Sequence, residues 1–160
     1  MVKCKNPVTP AIRLLRNEKV IFIDYLYEYE EKGGTAASAR ELDLDEHIVI
    51  KTLVMEDENK NPLIVLMHGD MQVSTKALAR IIGVKTISPC TPETALKHTG
   101  YLVGGTSPFG TRKSLPVYME KTILDFPGVY INGGKRGYLV GLDPKEVARI
   151  LKPRLVQVGI

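Results

Sequence analysis

Cysteine is scarce in this 160-residue chain, with Cys4 and Cys90 the only two. They make neither a metal-spaced pair nor a disulfide framework, which excludes a zinc ribbon and a stapled mini-domain. The three histidines, His47, His68 and His98, are too scattered to complete a zinc set. No run approaches the ~20 apolar residues of a membrane span, and Met1 to Pro7 lacks the apolar core of a signal peptide, so the cytoplasm is the expected compartment. Neither Gly-x-Ser-x-Gly nor Gly-x-x-x-x-Gly-Lys-Ser/Thr occurs, which removes the nucleophile elbow and the phosphate loop. Most Asp and Glu fall in loops or on exposed helix faces, and no carboxylate pair stands out. An enzyme built from what remains positions its substrate and polarises it with backbone amides and a lysine.

What is present is ordinary in composition. Hydrophobic residues at 44% and charged residues at 25% fit a globular protein and argue against long disorder. At 17.7 kDa, without linker, low-complexity tract or long repeat, residues 1–160 are expected to form one domain with a real core. A formal charge of +4 permits an anionic partner without demanding one.

Two glycine-rich turns organise the chain: Gly104-Gly105-Thr106-Ser107-Pro108-Phe109-Gly110 and Gly133-Gly134-Lys135-Arg136-Gly137. Each follows an apolar, strand-like run, and each is followed by or contains cations, Arg112 and Lys113 in one case, Lys135 and Arg136 in the other. Bare N–H groups beside cations make a cradle for a phosphate or a developing oxyanion. The plainer alternative is a pair of hairpin or bulge turns whose cations face solvent.

Along the chain, Thr9-Pro10-Ala11 opens a short helix, as does Thr91-Pro92-Glu93 and again Asp143-Pro144, each by the N-cap-plus-proline rule. Thr35 precedes another helix, and Ser74 caps one that Gly83 ends. Val20 to Tyr29 reads as a strand, with Tyr25, Tyr27 and Tyr29 on one face; such a stripe either stacks on bases or is a half-buried sheet face. Ile48 to Met55 is a nearly continuous apolar strand with Lys51 in its middle. That lysine either snorkels to the sheet edge or points into a pocket where its charge has a partner. Further strands are expected at Pro62 to His68, Thr86 to Ser88, Leu115 to Met119, Val129 to Ile131, Tyr138 to Leu142 and Leu155 to Val158. Lys121 to Phe126 suits a short helix or turn. Seven or eight strands and about five short helices without βαβ alternation predict an α/β (α+β) domain: a mixed, mainly antiparallel, barrel-like sheet surrounded by short helices.

Four blocks then occur in order: Thr9-Pro10-Ala11; Ile50-Lys51-Thr52-Leu53; residues 99–110 from Thr99-Gly100-Tyr101 through Gly110; and Asn132-Gly133-Gly134-Lys135-Arg136-Gly137. Their order and spacing resemble the YbaK/EbsC family of aminoacyl-tRNA deacylases, relatives of the editing domain inserted in bacterial prolyl-tRNA synthetases. The resemblance runs from residue 8 to the last helix. It implies a free-standing editing factor that removes a wrongly attached amino acid, typically cysteine, from tRNA for proline. The implied partner is aminoacyl-tRNA, with a prolyl-tRNA synthetase as a candidate companion. By the same resemblance Lys51 holds the 3′-terminal adenosine or its phosphate and orients the ester, Gly104 presents its N–H to the scissile carbonyl, and Tyr27 lines the pocket. Lys51 and Gly104 are therefore the catalytic candidates. The substrate-binding candidates are Tyr27, Thr52, Gly105, Thr106, Ser107, Asn132, Gly133, Gly134, Lys135 and Arg136.

In cysteine-specific members the substrate's own thiol attacks its carbonyl and releases a thiolactone. No protein nucleophile, metal or cofactor is then expected, and Cys4 and Cys90 are bystanders. This chain departs from that pattern at two places: Asn132 stands where those members carry serine, and Leu139 where they carry aspartate. Related members cleave alanine, serine or threonine esters with activated water. A deacylase of that kind, a non-catalytic tRNA-binding module of the same fold and an unrelated phosphate-ligand enzyme stay open as alternatives.

Overall fold

The computed structural model describes residues 6–160, so Cys4 lies outside them. Eight strands form one sheet: β1 (Ile23–Leu26), β2 (Val49–Asp57), β3 (Pro62–His68), β4 (Ile87–Pro89), β5 (Val117–Glu120), β6 (Val129–Asn132), β7 (Tyr138–Leu142) and β8 (Arg154–Val156). Their hydrogen-bonded order is β1-β7-β6-β2-β3-β5-β8, with β4 added to β2. Ladders β1/β7, β2/β3, β2/β4 and β6/β7 are antiparallel, and β2/β6, β3/β5 and β5/β8 are parallel. The sheet is thus mixed and mainly antiparallel, and its path is open, with β1 and β8 at the ends.

Five helices pack around it: α1 (Pro10–Asn17), α2 (Gly34–Leu42), α3 (Thr75–Ile82), α4 (Pro92–Thr99) and α5 (Pro144–Leu151). The expected caps are made: Thr9, Ser74, Thr91 and Asp143 each accept a first-turn N–H with the side chain, worth about 1 kcal/mol apiece. Thr35 behaves otherwise. It lies inside α2, and its hydroxyl meets the Gly69 carbonyl at 3.1 Å and Glu46 at 3.3 Å. No helix among the described residues is long and apolar enough to cross a membrane. The first strand is shorter than Val20 to Tyr29, and at its C-terminal end this is because its neighbour runs out. β7 begins at Tyr138, the Tyr27 N–H still reaches the Gly137 carbonyl at 3.0 Å, and beyond that no ladder continues.

The two faces of β2 separate core from site. Ile50 joins the main core with Leu66, Ile131, Val140, Phe109, Tyr138 and residues of α1 and α5. Strand alternation turns Val49, Lys51, Leu53 and Met55 the other way. There Met55 packs with Met67 and Leu78, while Val49 joins Ala39, Leu139, Tyr25, Tyr27 and Tyr130. Lys51 interrupts an otherwise apolar face between these two clusters.

At the end of β3, His68 is fully buried and stacked on His47, with ring centroids 3.8 Å apart. Its Nδ1 lies 2.7 Å from the His47 carbonyl and its Nε2 2.7 Å from the Thr122 hydroxyl. A carbonyl only accepts, so the neutral ring carries its proton on Nδ1 and accepts the threonine proton at Nε2. Burial pushes the His68 pKa below the usual 6.5, with the His47 charge adding to that and the His47 carbonyl, Asp70 and Glu120 opposing it. A group more easily protonated when unfolded makes stability rise with pH. The thermal midpoint is therefore expected to hold above pH 6.5 and to drop as pH falls from there towards the lowered folded value. Calorimetry from about pH 5 to about pH 7.5, which brackets the ordinary histidine value, checks this: a His68→Gln protein with an equally steep drop would rule out His68 as its source.

Candidate active site

Register carries Lys51 to its place. Val49 pairs with Tyr130 and Ile50 with Ile131 in the parallel ladder, so Lys51 and Asn132 leave it level with each other, on strands about 4.8 Å apart and on the same face. Leu139, the β7 partner of Asn132, shares that face. Lys51 is half-buried, and burial lowers its pKa, while Glu46 and Asp70 pull in the opposite direction.

Asn132 joins the two glycine turns. Its Nδ2 donates to the Gly104 carbonyl at 3.1 Å, and its Oδ1 accepts from the Gly134 and Lys135 N–H groups at 2.7 and 3.2 Å. The second turn thus has two of its amides engaged from within and is no phosphate cradle. Gly133 is likewise committed, its N–H to the Tyr138 carbonyl and its carbonyl to the Thr9 hydroxyl. In the first turn, Gly105 N–H closes onto the Leu102 carbonyl at 2.9 Å, but Gly104 N–H has no acceptor among the described residues.

Glycine is obligatory at this junction. Gly104 has φ +87, and a Cβ there would lie 2.5 Å from Tyr29 Oη; a Cβ on Gly105 would lie 2.7 Å from the Arg136 nitrogen. The two turns touch backbone to backbone. Arg136 adds a side-chain bond, Nε donating to the Val103 carbonyl at 2.8 Å, while its guanidinium sits 5.1 Å from the Tyr29 ring centroid. Below the turn, Tyr101 Oη donates to the Phe109 carbonyl at 2.6 Å and fixes the loop's base.

The sequence-derived candidates do not all converge. Gly104, Asn132 and the Arg136 side chain are brought together through the interlocked turns, and Lys51 lies level with Asn132 on the neighbouring strand. Tyr27 is half-buried in the apolar cluster with Val49 and Leu139, and burial raises its pKa. Thr52 lies opposite Leu66 on the main-core face, its hydroxyl buried without a partner among the described residues, so it does not share the lysine's face. Ser107 is fully buried, its Oγ accepting the Phe109 N–H. Thr106 Oγ1 donates to the Leu102 carbonyl at 3.3 Å and braces the same turn. Gly105, Gly134, Lys135 and Arg136 line, with Gly100, Tyr101 and Leu102, a cleft of about 250 Å³ between the turns. Tyr29 was not among the candidates. Its place in the tyrosine stripe put it on the right face, but nothing local signals that its hydroxyl abuts Gly104, 75 residues onward. Cys90 is a poor nucleophile, its thiol pushed up to about 11 by burial and by Glu56.

Fold and site together define an α/β protein with a half-buried lysine on β2 and two glycine turns locked together by Asn132 and Arg136. It belongs to the aminoacyl-tRNA editing domain family, whose model matches residues 30–150. A relative from Enterococcus faecalis, named "Putative Cys-tRNA(Pro)/Cys-tRNA(Cys) deacylase EbsC", is 26% identical over 151 residues, 94% of this chain and 92% of that one. The proline–tRNA ligase of Thermodesulfovibrio yellowstonii is 36% identical over 148 residues, which span 90% of this chain and 23% of the ligase. In fold, the chain matches the crystal structure of "a putative trans-editing enzyme for prolyl tRNA synthetase" with a TM-score of 0.81 at 20% identity, covering 96% of this chain and 99% of that one. Aminoacyl-tRNA editing and deacylation is accordingly its functional class.

Three hydrogen bonds through one half-exposed side chain give a testable magnitude. Asn132→Ala is expected to lower stability by about 1–2 kcal/mol in urea unfolding. Asn132→Ser, which keeps an acceptor near Gly134 but cannot span to Gly104, should lose about half as much. Equal stability of all three proteins would mean that the bridge carries no weight.

Proposed function

We propose that this protein is a trans-editing deacylase that cleaves the ester of a wrongly charged tRNA for proline, with cysteine as the amino acid removed. The observation that carries the reading is the register of β2 against β6, which sets Lys51 level with Asn132, the residue holding the Gly104 carbonyl. In this reading the free Gly104 N–H receives the carbonyl oxygen as negative charge develops on it. The Lys51 ammonium, whose charged form Glu46 and Asp70 favour, binds the 3′-terminal adenosine or its phosphate and keeps the ester in register.

The choice of cysteine rests on the name of the Enterococcus faecalis relative, a deacylase of Cys-tRNA(Pro) and Cys-tRNA(Cys), and in this scheme activation falls to the substrate. The cysteine thiol gives up its proton as its sulfur attacks its own carbonyl carbon; the C–S bond forms, the ester C–O bond breaks, and the ribose oxygen leaves carrying the proton the thiol lost. The products are a thiolactone and uncharged tRNA. The cleft of about 250 Å³, flanked by the exposed cations Arg112 and Lys135, suits the nucleotides leading into the acceptor end, whose backbone is anionic. A prolyl-tRNA synthetase is the source of the charged tRNA in this scheme.

Deacylation of a panel of mischarged tRNAs tests the proposal. Cys-tRNA(Pro) is expected to lose its ester fastest, with thiolactone detected by mass spectrometry. Preference for alanine, serine or threonine esters would overturn the cysteine assignment, and tRNA binding without any ester loss would make the chain a non-catalytic module. Lys51→Ala is expected to cut turnover ~10²-fold or more; full activity would remove that lysine from the mechanism.

A further inference from the structure

We propose that Arg136 is a positioning residue: steadied by the Tyr29 ring, it sets the orientation of the Val103–Gly104 peptide and so aims the Gly104 N–H at the ester carbonyl. This rests on the deacylase reading above and assigns Arg136 a task other than holding RNA.

The argument is one of peptide geometry. The C=O of Val103 and the N–H of Gly104 belong to a single planar unit, and the described chain contains no cis peptide. In a trans unit those two groups point in opposite directions. Arg136 Nε grips the Val103 oxygen at 2.8 Å, so the Gly104 N–H is turned away from Arg136. The next unit is held as well, its Gly104 oxygen accepting from Asn132 Nδ2 at 3.1 Å. Both peptides flanking Gly104 are thus gripped by side chains of the other turn, and neither belongs to a strand ladder.

Without that grip the unit is free to turn over. Val103 is 47% exposed and supplies no packing anchor, and glycine on the other side opposes little rotation. A flip would put the carbonyl oxygen where the N–H had been, and two partial negative charges would then face each other as the oxyanion forms. Arg136 is itself restrained: its guanidinium lies 5.1 Å from the centroid of Tyr29, whose hydroxyl fills the space a Gly104 Cβ would take. Ring, guanidinium and peptide form one contiguous stack. Lysine cannot replace the arginine here, because a flexible ammonium has neither the Nε–H nor the planar fork.

The test pairs kinetics with a readout that needs no catalysis. In steady-state deacylation of Cys-tRNA(Pro), Arg136→Lys is expected to lower kcat about 10- to 100-fold, while KM and the salt dependence of binding stay near wild type. Tyr29→Leu should lower kcat in the same sense but less, and Tyr29→Phe, which keeps the ring, should restore it. Unchanged kcat in Arg136→Lys, or a loss confined to KM with a shallower salt slope, would mean that Arg136 holds phosphate and not the peptide. Amide NMR of the uncharged protein separates this inference from the deacylase reading. Arg136→Lys is expected to broaden or shift the Gly104 resonance while the core resonances stay put. An undisturbed Gly104 signal overturns the positioning role even if the enzyme is active; a disturbed one upholds it even if the wild type cleaves none of the panel.

Discussion

Two rungs of parallel pairing, Val49 with Tyr130 and Ile50 with Ile131, set the position of Lys51 relative to Asn132. They fix which way β2 faces relative to β6, and side-chain alternation does the rest. A slip of one residue would turn Lys51 into the main core and Ile50 out among Ala39 and Leu139. Burial of Ile50 and Ile131 opposes such a slip, since both are at or near zero exposure and a fully buried isoleucine is worth about 1.5–3 kcal/mol. The apolar core thereby holds the lysine in register without touching it.

The fold was largely legible because its signals are local. Caps at Thr9, Ser74, Thr91 and Asp143, breaks at Gly83 and Gly100, and alternating or continuous apolar runs identify the helices and strands from a few neighbouring residues. The extent of β1 was not, since it depends on where a strand more than a hundred residues later begins. In the site, the same division holds. The family blocks named Lys51, Gly104 and Asn132, and the structure bonds Asn132 to Gly104 and sets Lys51 level with Asn132 on the next strand. Thr52 and Ser107 sit inside the same blocks but face inward, one by strand parity and the other by bonding its own loop. Tyr29 is the reverse case, a residue outside the blocks that a chain reversal carries onto Gly104.

A glycine-rich turn with cations does not by itself make an anion cradle, and the two turns here differ in this respect. What matters is whether the amides already have acceptors. Asn132 Oδ1 occupies Gly134 and Lys135 N–H, converting the second turn from a binding element into a brace. The first turn leaves the Gly104 amide without an acceptor among the described residues and borrows its stiffness from that brace. Replacing a serine by asparagine at such a point lengthens the reach of the side chain enough to touch both turns at once.

The loop carrying Gly104 has an uneven build. Its base is tied down by Tyr101 to Phe109 and by the close fit of Gly110 against the backbone of Pro10, whereas its crest exposes Leu102 and Val103 at 56% and 47%. Such a crest can be loosened by modest warming while the sheet stays intact. Turnover would then fade at temperatures where spectroscopic measures of folding still report an unaltered molecule, so that heat tolerance of the fold and heat tolerance of the reaction become two separate properties of one chain.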